Sequence, residues 1–529
     1  MSRSVAYFSM EIGITPEIKT FSGGLGILAG DTLKAAADHG LDFTAVTMLY
    51  RDGYFKQVIE DQKQEEFKQD WNYQEILEDT GKTVHVNLRG SDIEVKIWKY
   101  TWKGAKGEID IYFLDTGLES NKEGDQQLTS QLYMGGQETR LCQEAILGIG
   151  GTRALQELEI DVDFFHMNEG HSSLLTTEAE GEKVFTTHTP VAAGHDTFSR
   201  ELAEKVLPEP TLDRLDFGNT LNMTELALKH SKYCNGVSDK HAEVSRKMFP
   251  EYEFDAVTNG VHSATWTAEP YQRLYNDNIS KWRIDPARLT KVAGISDSSI
   301  WQAKKSCKEE LAKRVEENTG KKLDENVFTI GFARRSTGYK RPTLIFKDVE
   351  RLEELANTYN GLQIVFGGKA HPDDQHGKEL IGQVLKYSEM LENVDVYFIE
   401  DYSMEDSLYM LAGSDLWLNN PIRGKEASGT SGMKAAHNGT PQLSTPDGWW
   451  LEGHIKDITG WNIGEDYVEG EDEDRVDSVS MYEKLAHILA TYHNDRKQWI
   501  KIMKHCITLN ASHFNADRML KEYLAKAYT

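Results

Sequence analysis

The sequence predicts an α/β protein built from two doubly wound domains facing each other across a cleft, on three observations. Short apolar runs bounded by polar loops recur along the chain, as buried parallel strands do. Helix-like segments separate them, and this strand–helix rhythm begins twice. The chain has 529 residues, too many for one ordinary domain and enough for two. In open sheets of this kind, ligands bind outside the carboxyl ends of the strands.

The first domain is expected over 1–320. Strands are predicted over 4–10 and 42–49, with a helix over 31–39 that Asp31 would N-cap. A strand cluster over 84–88, 94–100 and 109–114 is inserted before further strands at 163–167 and 183–187. The second domain is expected over 321–529, after a charged helix over 298–317. Its strands fall at 327–332, 362–366, 394–398 and 416–418, each followed by a helix-like segment. Helices over 481–491 and 518–528 are candidates to pack back across the boundary. The acidic run 464–477 reads as a solvated surface loop.

Composition narrows the function. No run approaches the ~18 apolar residues that span a bilayer, and the N-terminus has no secretory pattern, so no membrane role is expected. Cys142, Cys234, Cys307 and Cys506 are scattered, which suggests neither a zinc cluster nor a disulfide framework and fits the reducing cytoplasm. A formal charge of −26 argues against nucleic acid as the partner. Any phosphate-binding site in so acidic a chain must be a local concentration of cations.

Four constellations could carry chemistry. The stretch from Phe21 to Asp31 is glycine-rich and precedes a helix, so its backbone could approach an anion, although a tight turn explains it equally well. Between Phe332 and Arg341 stand Arg334, Arg335, Lys340 and Arg341, directly after an apolar strand; guanidinium forks and an ammonium suit phosphate oxygens. The third runs from Arg423 to His437. Ser428, Thr430 and Ser431 offer hydroxyls there ahead of a helix that carries Lys434. A lysine in an apolar pocket beside other cations is depressed in pKa and can condense with an aldehyde, whereas a lone lysine is ordinarily an exposed one. The fourth is a set near predicted strand ends: His166, Asn168, Glu169, His171, His188, Asn259 and His262. These are sugar-binding residue types, and equally the types found as satisfied core or loop polar groups. Their spacing gives no metal site. Trp449 and Trp450 suit either sugar stacking or the core.

In order and along nearly the whole chain, these segments resemble the α-glucan phosphorylase family, and its short prokaryotic branch in particular. The specific motif is Glu426-Ala-Ser-Gly-Thr followed by Met433-Lys434, which resembles that family's pyridoxal-phosphate lysine segment. Ser22-Gly-Gly-Leu-Gly26, Thr187-His-Thr189, Asn235-Gly-Val237, Thr258-Asn-Gly-Val261 and Phe366-Gly-Gly-Lys-Ala370 are further matches. The resemblance implies two Rossmann-like domains in the GT-B glycosyltransferase arrangement. It implies pyridoxal 5′-phosphate held covalently on Lys434, with Thr430, Ser431 and Arg334 around its phosphate and Tyr402 and Trp266 beside its ring. Arg335, Lys340 and the backbone of Gly24 would hold inorganic phosphate. Leu25, His188, Asn259, Glu426, Ser428 and Gly429 would form the glucose pocket.

The implied reaction is retaining phosphorolysis of α-1,4-glucan to glucose 1-phosphate, with the cofactor's phosphate as acid–base; its second pKa lies near ~6. Dimers are common in the family. The chain departs from its pattern at Ser403, at Ser431-Gly432 and at Arg334. It begins at the first core strand, so no N-terminal phosphorylation switch and no nucleotide effector site are expected. The rival readings are a sugar-nucleotide-dependent glycosyltransferase of the glycogen synthase type, which has no use for Lys434, and a glucan-binding relative without turnover.

Overall fold

Alternation along Val5–Ser9 shows why the first sheet is buried on both faces. Ala6 and Phe8 enter one apolar cluster with Val46, Met48, Phe165 and Met167, while Val5 and Tyr7 enter another with Phe43, Ala45 and Phe164. Side chains alternate between faces with period two, so a strand covered on both sides must be apolar throughout. The computed structural model of the chain describes residues 3–133 and 135–529.

Backbone contacts divide the described chain into two units. The first comprises 1–55, 68–259 and 516–529. Its nine-stranded sheet runs in the order Asp255–Ala256, Tyr233–Gly236, Glu182–Thr186, Phe164–Asn168, Val5–Ser9, Phe43–Met48, Glu108–Asp115, Ser91–Lys103 and Glu78–Leu88. Pairing is parallel except at the last two strands, whose hairpin adds antiparallel to Glu108–Asp115. The first helix is Gly24–His39, closed by Gly40 in the left-handed region. It begins seven residues before the predicted start at 31, so Asp31 lies inside it, buried, and is no N-cap. Close packing explains the glycines here: a Cβ on Gly30 would stand 2.0 Å from the Gly13 carbonyl oxygen.

The second unit comprises 56–67 and 260–515. Its sheet is wholly parallel, in the order Val394–Ile399, Leu362–Gly367, Thr329–Ala333, Leu416–Asn419, Gln442–Ser444 and Gly460–Asn462. The last two strands, three residues each, are too short for a sequence pattern to reveal. The hairpin Lys56–Glu60 and Lys63–Phe67 joins this unit, with the Gln57 amide donating to Asp401 (2.9 Å) and its side chain to the Gly368 carbonyl (3.1 Å).

The division falls at Asn259–Gly260, not near 320 as the sequence suggested. The reason is the helix Asp297–Thr319, which is fastened within the second unit. Lys304 donates to the Ala412 carbonyl (2.7 Å) and to Thr440 Oγ1 (2.6 Å), and Lys308 pairs with Asp415 (2.6 Å). The terminal helix Ala516–Lys526 belongs to the first unit: Tyr523 accepts from Asn235 (3.0 Å), and the Tyr528 hydroxyl lies 2.6 Å from His166 Nδ1.

One open reading is decided and one expectation is corrected. Trp449 and Trp450 are fully enclosed, Trp449 packing edge-on to Phe514 at 4.8 Å, so they are core and not a sugar platform. The acidic run does not end as a solvated loop: the helix Glu473–Asn494 starts within it and Asp477 is completely buried.

Candidate functional site

In the second unit, the cations converge on one carboxylate. The strand Thr329–Ala333 delivers Arg334 to the carboxyl edge of the sheet, where its amide bonds the Gly367 carbonyl (3.1 Å). Gly368 has φ +130°, and a Cβ there would stand 1.9 Å from the Arg334 carbonyl oxygen, so only glycine lets the two loops approach this closely. Arg334 Nη2 lies 2.6 Å from Glu426 Oε2, and Lys340 Nζ bonds the same oxygen. Burial pushes the Glu426 carboxyl up, but the Arg334 and Lys340 charges outweigh it and hold the group at about 2. Arg335 is exposed on the same loop. Arg334, Arg335 and Lys340 line a small pocket whose other walls include Phe332, Phe366 and Gly367.

Glu426 ties this loop to the segment that carries Lys434. The helix Ser431–Ala436 starts after Thr430, whose hydroxyl does not cap it. Ser431 accepts from Trp417 Nε1 (3.0 Å). Lys434 is buried, with Nζ 3.8 Å from the centroid of the Trp266 ring. Tyr402 lies against Gly367, where an added Cβ would meet its ring at 2.7 Å. Ser403 caps the helix Met404–Gly413 in a reciprocal box with Asp406, which gives that departure from the family pattern a local structural role.

This donor set fits pyridoxal phosphate. A buried amine lies on an indole face, where an aromatic ring attached to it could stack. Thr430 and Ser431 open the helix that carries it, with the Lys434 amide donating to the Thr430 carbonyl (3.1 Å), and Arg334 and Lys340 are joined to that segment through Glu426.

In the first unit, Gly23 and Gly24 at the helix start face open space, with Leu25 partly exposed beside them. Glu11 accepts the Ser22 amide (2.6 Å) and the Gly23 amide (3.1 Å), which fixes the turn. His188 follows the strand Glu182–Thr186, and its tautomer can be read from its neighbours. Ser9 Oγ donates to the Glu11 carbonyl (2.7 Å) and so accepts from Asn168 Nδ2 (3.0 Å), which turns Asn168 Oδ1 toward His188 Nε2 (2.7 Å). The proton therefore sits on Nε2, leaving Nδ1 a lone pair. Burial, with the neighbouring histidines His241, His166 and His171, depresses this imidazole to about 3, so it is neutral near pH 7. Among the described residues, the buried Asn259 side-chain oxygen has no hydrogen-bond partner, while its carbonyl accepts from Arg518 (2.9 Å).

The other polar candidates divide. His166 is a satisfied core residue between Thr186 (2.9 Å) and Tyr528. His262 is held by Thr265 (2.7 Å). Glu169, at φ +74° and ψ +168°, keeps a strained backbone and accepts the His188 amide (2.7 Å) and the Thr189 hydroxyl (3.0 Å). His171 joins Asp196 (3.4 Å), which also pairs with Arg140 (2.9 Å); Arg140 in turn lies 3.1 Å from the buried Glu144.

Sequence reasoning missed Arg140, Glu144, Asp196 and Asp447. Asp447 accepts the Glu426 amide (2.9 Å), and burial, together with the Glu426 charge, raises it to about 6. The Asp447-Gly448 turn was the only local sign of it.

Two family models match the chain: starch synthase catalytic domain over residues 5–259 and carbohydrate phosphorylase over 195–462. The maltodextrin phosphorylase of Thermococcus litoralis is 37% identical, over 99% of this chain and 70% of its own length. The glycogen phosphorylase of Aquifex aeolicus is 33% identical, over 100% and 86% respectively. That of Mycobacterium tuberculosis (H37Rv) is 33% identical, over 99% and 70%. The two matches and the two sheets, one wholly and one mainly parallel, define the class, a two-domain Rossmann-like architecture of the GT-B type. Within it, the chain belongs to the α-glucan phosphorylase family.

Proposed function

We propose that this protein is an α-1,4-glucan phosphorylase that transfers the terminal glucose of maltodextrin or glycogen to inorganic phosphate, with retention, giving α-glucose 1-phosphate. The observation that carries the reading is the second unit's cluster: Lys434 buried on Trp266, in a segment bound through Glu426 to Arg334 and Lys340. Lys434 would hold pyridoxal 5′-phosphate, Trp266 and Tyr402 would bind its ring, and Thr430, Ser431 and Arg334 its phosphate. When bound, that group supplies a phosphate able to accept and return a proton near neutrality.

The chain's own residues bind and orient. Arg335 and Lys340 hold the inorganic phosphate and offset the repulsion between two anions. His188 Nδ1 and Asn259 Oδ1 accept sugar hydroxyl protons. In the first unit, Leu25 is assigned to the sugar with them; in the second, Glu426, Ser428 and Gly429 are the residues assigned to it. Neutral His188 adds no charge against a developing cationic sugar. Four buried free thiols support action in the cytoplasm; among the described residues, no helix is long and apolar enough to cross a membrane. A homodimer is the assembly proposed by family analogy.

The match of residues 5–259 to a starch synthase domain favours a second reading, transfer from a sugar nucleotide. Purified protein incubated with maltoheptaose separates the two. Glucose 1-phosphate should form in proportion to added phosphate and be lost in Lys434→Ala. Chain extension from a nucleotide sugar, unaffected by Lys434→Ala, would establish the second reading instead.

A further inference from the structure

We infer that Asp477 is a positioning residue for phosphate binding, locking together the loops that carry Lys340 and Glu426; this rests on the assignment of Lys340 to the substrate phosphate. Asp477 is 0% exposed. Its oxygens receive three guanidinium N–H bonds: from Arg341 Nη2 (2.6 Å), Arg423 Nη1 (2.9 Å) and Arg423 Nη2 (2.6 Å). Arg341 directly follows Lys340, and Arg423 stands three residues before Glu426.

Each arginine also grips backbone. Arg341 donates to the carbonyls of Asn420 (2.9 Å) and Pro421 (3.0 Å), and Asn420 returns a bond to the Arg341 carbonyl (2.8 Å). Arg423 donates to the carbonyls of Ile463 (3.1 Å) and Gly464 (2.9 Å). Arg341 sits at φ +51°, a conformation that a bulky residue keeps only when its surroundings enforce it. Gly464 sits at φ +64°, where a Cβ would stand 1.9 Å from Asp477 Oδ1 and 2.2 Å from Arg423 Nη2.

Asp474 (3.0 Å from Arg341) and Glu473 (2.8 Å from Arg423) are partly exposed and each bonds one arginine. Asp477 alone among these three hydrogen-bonds both. Without its charge, Arg341 and Arg423 keep only the partly exposed Asp474 and Glu473 as counter-ions, and no carboxylate hydrogen-bonds both, which is unfavourable for guanidinium groups so largely withdrawn from water. The loops then separate, and Lys340 loses its fixed place beside Glu426. Asp477 acts through Lys340 and touches no substrate.

The test is steady-state kinetics on the holoenzyme for Asp477→Asn, Lys340→Ala and the double variant, each with a thermal melt. Asp477→Asn should raise the phosphate KM about tenfold and move the glucan KM less than about twofold, a loss of placement felt at one ligand. In the Lys340→Ala background, it should add less than about twofold, because the two act as one unit. Additive losses, or equal rises in both KM values, would overturn the inference. If Lys340→Ala leaves the phosphate KM unchanged, the underlying assignment fails as well. Should Asp477→Asn not fold, Arg423→Lys, which keeps the charge and loses the bidentate fork, replaces it with the same expected split.

Discussion

At the scale of single residues, the account rests on cations in contact with a buried carboxylate. Charge-assisted hydrogen bonds of this kind contribute about 1.5–3 kcal/mol each, so Lys340→Ala and Arg335→Ala should each raise the phosphate KM by about tenfold to a hundredfold. The glucan KM should change far less, and initial-rate measurements across both substrates check this; unchanged phosphate kinetics would remove both residues from the site. Arg334, Lys340 and Lys434 stood out in the sequence because each lies in a short segment whose local composition suggests anion or aldehyde chemistry, whereas Glu426 entered only through the family motif. Asp477 was not, because its partners Arg341 and Arg423 lie 136 and 54 positions away and only the fold brings them together. Asp447 was hidden for the same reason. The sequence also grouped Glu426 with the sugar pocket and gave no sign that its carboxylate sits on the cations assigned to the phosphate.

At the scale of elements, long apolar strands were readable and short ones were not. The strands Val5–Ser9, Leu362–Gly367 and Val394–Ile399 stand where period and apolarity put them, whereas Gln442–Ser444 and Gly460–Asn462 carry too few residues for any pattern. The helix Gly24–His39 was set seven residues late, because its first two turns contain glycines that local propensity assigns to a loop. Tertiary packing decides there: Gly30 touches the backbone of Gly13. The same reasoning gives a prediction at the loop Gly367–Gly368. Gly368→Ala puts a methyl group into the Arg334 carbonyl at positive φ, so it should destabilise the protein by more than about 1 kcal/mol. It should also raise the phosphate KM by displacing Arg334 and its neighbours; a thermal melt and phosphate titration indistinguishable from the parent protein would refute the close-approach argument.

At the scale of the whole molecule, buried neutral histidines make stability depend on acid. Burial first of all depresses His166, His171 and His188 to about 3, and His241 and His437 to about 4. In the unfolded chain, these groups titrate near ~6.5, so their stabilising contribution is complete above that pH and is lost as pH falls toward the folded values. Each costs about 1.4 kcal/mol per pH unit below the unfolded value. Asp447, raised to about 6, and the carboxyls of Glu144, Glu169, Glu310 and Asp395, also raised by burial, work in the opposite direction as pH falls, but the five histidines lose stability from pH ~6.5 downward and outweigh them. The denaturant midpoint should therefore be lower at pH 5.0 than at pH 7.5; an equal or higher midpoint at pH 5.0 would contradict the burial of these rings.

The central claim is that Lys434 carries the cofactor among the cations of the second unit. Borohydride reduction of the purified protein, followed by mass-spectrometric peptide mapping, tests it most directly. A single pyridoxyl-phosphate mass on Lys434 is the predicted result. An unmodified Lys434, or the label on another lysine, would contradict the account.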